Sequence, residues 1–236
     1  MRKGKDMATD PILSDLQYVM ETGQELDILN FHKSFPITCK ARVESLSSDG
    51  VVLKVQPPGS VCLESQDQTI VLSRGLPEAV RAAIIEFDLV NGKLKLADFQ
   101  YVGSHFGDRM IARVQPEGTV PVGIELGEQK HDGELVDVSL SGVGILVQQQ
   151  VFQKGQLIQV TLPLPEGRVT LPGKILNLSS SGSKTRLSVG FTRNAQEIAL
   201  IMRYIKDRRV EILAEIERMY EEALQEKHAQ ANLKQS

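Results

Sequence analysis

The sequence predicts a mainly β protein: two small antiparallel β-barrels in tandem, followed by one long C-terminal α-helix. Three observations carry this. Apolar residues alternate at period two through short runs in both halves of the 236-residue chain, with Gly, Asn, Asp and Pro clustered between the runs. In the second half the runs VPVGIEL, GELVDVS, GILVQQ, LIQVTLPL, VTLPGKILNL and TRLSVGF follow one another closely. That is enough short strands to close on themselves and remove their edges. From Ala195 to about Lys227, finally, no Gly or Pro interrupts an apolar recurrence at three- and four-residue steps.

Taken in order, residues 1–10 read as a disordered tail. The segment DPILSDLQYVMETGQELDIL then places Ile12, Leu13, Leu16, Val19 and Met20 on one helical stripe, with Asp10 or Ser14 as N-cap and Gly23 as stop. From Phe35 the period changes to two, and ITCKARVESLSSDGVVLKV reads as a hairpin turning at Asp49-Gly50. After Pro57-Pro58-Gly59, SVCLESQDQTIVL is expected to add short strands and LPEAVRAAI one or two helical turns. The run IIEFDLVNGKLKLADFQYV reads as a second hairpin, with Asn91-Gly92 as a type I′ turn. These elements make a first β domain over 11–104. Residues 105–236 form the second, with a linker over 105–118, turns at Asp132-Gly133, Pro165-Glu166-Gly167 and Ser181-Gly182, and the helix over 195–229.

Along that helix Ile198, Ile201, Ile205, Ile212, Ile216, Met219 and Ala223 recur on one stripe. Its distal part, with Leu213, Met219, Tyr220 and Leu224, extends beyond what one small barrel covers. A homodimer contact and packing on the first domain both answer that surplus; Arg208 and Glu215 interrupt a clean heptad.

The motif with chemistry in it begins in the linker. Arg109 and Arg113 stand four apart, and 24 residues beyond the second comes Asp137-Val138-Ser139-Leu140-Ser141-Gly142. A guanidinium is planar and always charged, and its forked donors match a phosphate or the O6/N7 edge of guanine. A carboxylate only accepts, so Asp137 suits the N1–H and N2–H donors on guanine's other edge, with the Ser139 hydroxyl beside it. Gly142 removes a side chain where a flat base would approach the backbone. Either half alone is an ordinary surface ion-pair or strand-turn pattern; the ordered pair points to a guanine nucleotide.

RxxxR followed by [D/N]xSxxG resembles the PilZ domain family, whose members bind the bacterial second messenger cyclic di-GMP. The resemblance covers Arg109, Arg113, Asp137, Ser139 and Gly142. It implies that the arginines grip phosphates and guanine while Asp137, Ser139 and Gly142 line the base site. Many members carry a basic residue just before RxxxR; here it is Asp108, an anion facing a dianionic ligand. There is also an internal echo, Ser45-Leu46-Ser47 before VVLKV against Ser139-Leu140-Ser141 before GILV. It sets Val43 at the place of Asp137, leaving the first half without the acid. This layout is similar to the two-domain, flagellar-brake (YcgR-like) PilZ proteins, in which the N-terminal barrel is PilZ-like but lacks the motif. The resemblance implies a cyclic di-GMP receptor whose partner is the flagellar motor or a polysaccharide synthesis complex. A constitutive adaptor with a vestigial nucleotide site is the alternative.

Composition bounds the rest. Hydrophobic content of 41% and charged content of 24% are those of ordinary soluble domains. A net charge of −3 argues against general nucleic-acid binding, so no DNA partner is expected. Cys39 and Cys62 read as buried free thiols. The start MRKGKDMATD has no apolar core of a leader behind it, and no run reaches the ~18 apolar residues of a membrane span, so a cytoplasmic protein is expected. Ser181-Gly182-Ser183-Lys184 matches SxxK but sits in a turn without the companion motifs. His32, His105, His131 and His228 have no metal-type spacing, His131 falling in a polar turn, and no two carboxylates are paired for acid–base work. No catalytic residue, metal or cofactor is expected.

Overall fold

The computed structural model describes residues 10–103, 112–148, 151–192 and 195–233. The predicted tail, apart from Asp10, lies outside them, as do most of the 103–107 joint, Asp108 and Arg109. Helix α1 (Pro11–Glu21) opens the chain, its N-cap Asp10 accepting from the Ile12 N–H at 3.0 Å. Thr22 ends it, and Gly23 follows at φ 65°, a conformation that favours glycine.

Six strands follow: β1 (Leu26–His32), β2 (Phe35–Ser47), β3 (Gly50–Val55), β4 (Gln68–Leu72), β5 (Val80–Asp88) and β6 (Lys93–Tyr101). They close in the order β1-β2-β3-β6-β5-β4. Ile12, Leu16 and Val19 of α1 pack into the barrel core with Leu26, Leu53 and Leu94. Residues Leu213 onward of the last helix belong to this compact unit, where Lys227 Nζ pairs with Glu64 at 2.6 Å.

The second barrel is built of β7 (Pro121–Leu126), β8 (Gln129–Ser139), β9 (Gly142–Val147), β10 (Leu157–Leu164), β11 (Gly167–Ser181) and β12 (Lys184–Phe191), in the order β10-β11-β12-β9-β8-β7. Adding six to each strand number of the first barrel reproduces this cyclic order, so the two share one topology. Helix α2 (Ala195–Leu233) follows, and its part up to Ile212 groups with the second barrel, burying Ile201, Tyr204 and Ile205. Two barrels and a long C-terminal helix are therefore found as predicted.

Several local expectations are corrected. The VRAAI end of LPEAVRAAI is not helix but opens strand β5, which runs on into the predicted hairpin strand: Val80 and Ala82 alternate into the core and pair across β4 and β6, so tertiary pairing overrides the helix preference of Ala and Glu. Gly59–Leu63 is a 3-10 turn, and only Gln68–Leu72 of that region is strand. The second hairpin has a four-residue loop, 89–92, in which Gly92 alone takes a positive φ (57°). Asp88 closes that loop by accepting from the Asn91 backbone N–H at 3.0 Å and its Nδ2 at 2.7 Å, contacts that hold the carboxyl below its ordinary pKa. Asp132-Gly133 is not a turn but lies inside β8. A Cβ on Gly133 would stand 2.5 Å from Ile145 Cγ2, so that glycine serves close strand packing. His131 likewise lies in β8, its ring edge-on to Phe152 at 5.1 Å.

The internal repeat is real but its alignment shifts by two. The end of the first hairpin pairs Ser47 with Gly50, and the end of the second pairs Ser139 with Gly142. Both strands carry a one-residue bulge at the matching place, between Val43 and Ser45 and between Leu135 and Asp137. Ser45, not Val43, therefore stands where Asp137 stands. The first barrel still lacks the acid.

Candidate functional site

The bulge at Val136 is what aims Asp137. Strict alternation from buried Leu135 would put residue 137 inside the barrel. One extra residue resets the count, so that Leu135 and Val138 both face the core with Val143 and Ile145, and Asp137 and Ser139 point to the outer face. Sequence runs such as GELVDVS show the strand but not this extra residue.

A short segment then extends the sheet beside β8. Val114 and Val138 exchange both backbone hydrogen bonds at 3.0 Å, an isolated antiparallel bridge. In that register Arg113 lies on the same face as Asp137 and Ser139, and its Nη1 donates to Asp137 Oδ1 at 3.2 Å. On the other side of the segment, the buried Arg208 of α2 donates from Nε to the Gln115 carbonyl at 3.1 Å and pairs with Glu211 through Nη1. The residue that interrupts the heptad is thus one that anchors the Arg113 segment.

Asp137 is only 1% exposed and is held from two directions. Oδ1 takes Arg113; Oδ2 takes Nη2 of Arg186, which reaches across from β12. Between them runs β9, which presents Gly144 at the crossing. A Cβ there would sit 3.0 Å from Asp137 Oδ1 and 3.2 Å from Arg186 Nη2. The bare backbone of Gly144 leaves room for the ion pair to span three strands. Next to it Lys184 Nζ binds both carboxylate oxygens of Glu134 at 3.0 Å.

Ser139 and Gly142 shape the corner. The fully buried Ser139 hydroxyl lies 3.2 Å from the Gly142 carbonyl, to which it donates, and 3.3 Å from Ser141 Oγ. Gly142 is glycine because β12 crowds it: a Cβ would stand 2.2 Å from the Val189 carbonyl oxygen. The close approach of β12 calls for glycine at this position in its own right.

Of the five motif residues the structure brings Arg113, Asp137, Ser139 and Gly142 together, and Arg109 lies outside the described residues. Sequence reasoning missed Arg186 and Gly144. The available signal was Gly142-Val143-Gly144: two glycines on one face of one strand mark a place where something crosses it. A cavity of about 460 Å³ lies elsewhere on this unit, lined by Pro116, Pro163, Tyr204 and Arg208 among others and by none of the motif residues. No cluster of potential metal ligands occurs among the described residues, and no helix there is long and apolar enough to cross a membrane.

The fold and site define a β-barrel module that displays a buried acid under arginine clasps at the corner of a hairpin. The PilZ domain profile matches residues 109–207, a span that includes all five motif positions and the second barrel. The match to the PilZ domain thus covers the second barrel, and a barrel of the same topology precedes it. Among curated proteins none matches the chain in sequence. Similar solved structures include YcgR from Escherichia coli in complex with c-di-GMP, 15% identical, covering 88% of this chain and 93% of that one at a TM-score of 0.43. The Bacillus subtilis inhibitor of motility MotI/DgrA is 11% identical, covering 79% and 96% at 0.43. The K. pneumonia MrkH–c-di-GMP complex is 13% identical, covering 86% and 94% at 0.43.

Proposed function

We propose that the protein is a cyclic di-GMP receptor whose ligand site is formed by Arg109, Arg113, Asp137, Ser139 and Gly142, and that binding is relayed as a change in the arrangement of its two barrels. The observation that carries the reading is Arg113 on Asp137: a guanidinium from the linker and a buried acceptor from the barrel meet at one point, within the span that matches the PilZ domain. The cation suits phosphate and the guanine O6/N7 edge, and the acid suits the guanine N–H edge. When ligand takes Arg113, that side chain leaves Asp137 and wraps the nucleotide. Because the segment of 105–118 joins the barrels in sequence, binding energy goes into fixing their mutual geometry.

The output of such a receptor is a protein surface offered to a partner, in this reading the flagellar motor or a polysaccharide synthesis complex, acting from the cytoplasm. Homodimerisation through α2, where Met202, Val210 and Leu213 are exposed on one flank, belongs to the same reading. Sedimentation as a monomer at every concentration refutes that part. The site itself is tested by calorimetry with cyclic di-GMP. Micromolar or tighter binding is expected, weakened at least tenfold by Arg109→Ala, Arg113→Ala and Asp137→Ala. If those variants bind as the parent does, the assignment fails. Parent protein that shows no binding while both barrels remain folded favours the constitutive adaptor, for which Asp108 beside the first arginine is the supporting feature.

A further inference from the structure

We infer that Arg186, outside the recognised motif, is the positioning residue that holds Asp137 ready for guanine once Arg113 has left it for the ligand. The inference rests on the cyclic di-GMP reading of the site and deepens it. Asp137 is buried, and its two oxygens are claimed by different guanidinium groups, Oδ1 by Arg113 and Oδ2 by Arg186.

The two cations are mounted differently. Arg113 belongs to a segment outside the barrel's strands, joined to β8 by the bridge at Val114 and to α2 by the Arg208–Gln115 contact, and its own side chain makes its contact from the segment's edge. Arg186 lies within β12, paired to Leu146 of β9 on one side and to Ser179 of β11 on the other. One clasp can be withdrawn; the other is part of the barrel wall. Were Arg113 the sole partner, its departure would leave a buried carboxylate unpaired, and ligand binding would have to bear that cost. Lys184 offers no substitute, being committed to both oxygens of Glu134.

Arg186 also leaves acceptor capacity. A carboxylate has about four lone-pair positions, so one contact on Oδ2 leaves Oδ1 and the rest free for the N1–H and N2–H of guanine. It further fixes the plane in which those positions lie. Its Nε is buried with no acceptor among the described residues, so the side chain has donor capacity to spare at the same place. Gly144 is the third part of the device, since any side chain there would press on both Asp137 and Arg186.

The test compares the full-length parent with Arg186→Gln and Arg186→Lys, titrated with cyclic di-GMP and, by competition, with cyclic di-AMP, whose adenines lack the N1–H/N2–H edge. Arg186→Gln is expected to weaken cyclic di-GMP about 10- to 100-fold, the scale of one hydrogen bond to a charged group. Cyclic di-AMP should change less, so the preference narrows. Arg186→Lys keeps the charge and should stay within about fivefold of the parent. The inference is overturned if Arg186→Gln binds within twofold of the parent, if both nucleotides weaken equally, or if Lys is as poor as Gln. Should Arg186→Gln fail to fold, Arg186→Lys decides alone: near-parent affinity with the guanine preference kept supports the role, and a tenfold loss at unchanged preference overturns it. A parent that does not bind cyclic di-GMP removes the site reading itself. A parent that binds, with Arg186→Gln binding equally well, removes only the role of Arg186.

Discussion

Gly142 and Gly144 stand two apart on one face of β9, yet substituting each by Ala should damage the protein in different ways. Neither residue takes a positive φ, so the cost comes from space and not from backbone conformation. At 142 the new Cβ would lie 2.2 Å from the Val189 carbonyl oxygen and 3.2 Å from the Gly190 Cα, both backbone atoms of β12. A normal carbon–oxygen contact requires roughly an ångström more, and strands in a closed barrel cannot yield that without loosening the pairs Gly142–Gly190 and Val143–Val189. Overpacking of this kind costs about 1–3 kcal/mol. At roughly 2–4 °C per kcal/mol for a chain of this size, Gly142→Ala should melt about 2–12 °C below the parent. At 144 the neighbours are the ends of two side chains, at 3.0 and 3.2 Å, which can give by a few tenths of an ångström. Gly144→Ala should therefore change stability by less than about 1 kcal/mol. Its effect should appear in calorimetry instead, as several-fold weaker cyclic di-GMP binding, because Asp137 is pushed from its place. Thermal melting by circular dichroism and ligand titration of both variants separate the two effects. The reasoning is refuted if Gly142→Ala melts within 1 °C of the parent, or if Gly144→Ala loses stability while binding normally.

Two further outcomes follow from the first barrel. Burial pushes the Cys39 thiol up to about 12 and the Cys62 thiol up to about 11, so both should resist iodoacetamide at pH 8 in the native protein and react readily in urea. The unfolded chain gives up these protons first, so the stability they contribute is complete below pH 9 and is lost as pH rises towards 11–12. Urea unfolding between pH 8 and 11 should show that decline, and Cys39→Ala should flatten it. Gly92 combines φ 57° with a Cβ position 2.8 Å from the Val55 carbonyl. Gly92→Ala should cost about 1–3 kcal/mol in denaturant titration, and a variant as stable as the parent would contradict the loop geometry.

Much of this was legible in the residues because it depends on local pattern. Alternating runs with Gly and Asp turns marked the barrels, and the uninterrupted stripe after Ala195 marked α2. What escaped depends on partners distant in sequence. Val80 and Ala82 are strand residues only because β4 and β6 lie on either side; alone, LPEAVRAAI has the composition of a helix. Asp132-Gly133 has the composition of a turn, but Ile145 decides what Gly133 is for. The motif marked Arg113 and Asp137 as belonging together, yet the bulge that turns Asp137 outward leaves no trace in a run of Leu, Val, Asp and Val. Arg186, 49 residues further on, reaches Asp137 only when β9 and β12 are paired.

The first barrel provides an internal control on which parts of this arrangement matter. Aligning the two by their hairpin ends and ladder registers puts Ser45 at the place of Asp137, Val52 at that of Gly144 and Lys93 at that of Arg186. The bulge is kept, so the backbone that would aim an acid outward is present, and only the side chains differ. A serine cannot oppose a guanidinium as a carboxylate does, and Val52 fills the gap through which a cross-strand ion pair would run. Installing the acid alone should therefore not create a second site. Ser45→Asp places its carboxylate on an exposed position beside Val52, with Lys93 at the place of the wall arginine, and the calorimetric stoichiometry for cyclic di-GMP should equal that of the parent. The triple change Ser45→Asp, Val52→Gly and Lys93→Arg restores the acid, the opening and the fixed cation, and it still lacks the counterpart of Arg113. Additional ligand bound by Ser45→Asp alone would mean that the bulge and an acid suffice, and that the glycine opening and the wall arginine are incidental to the second barrel as well.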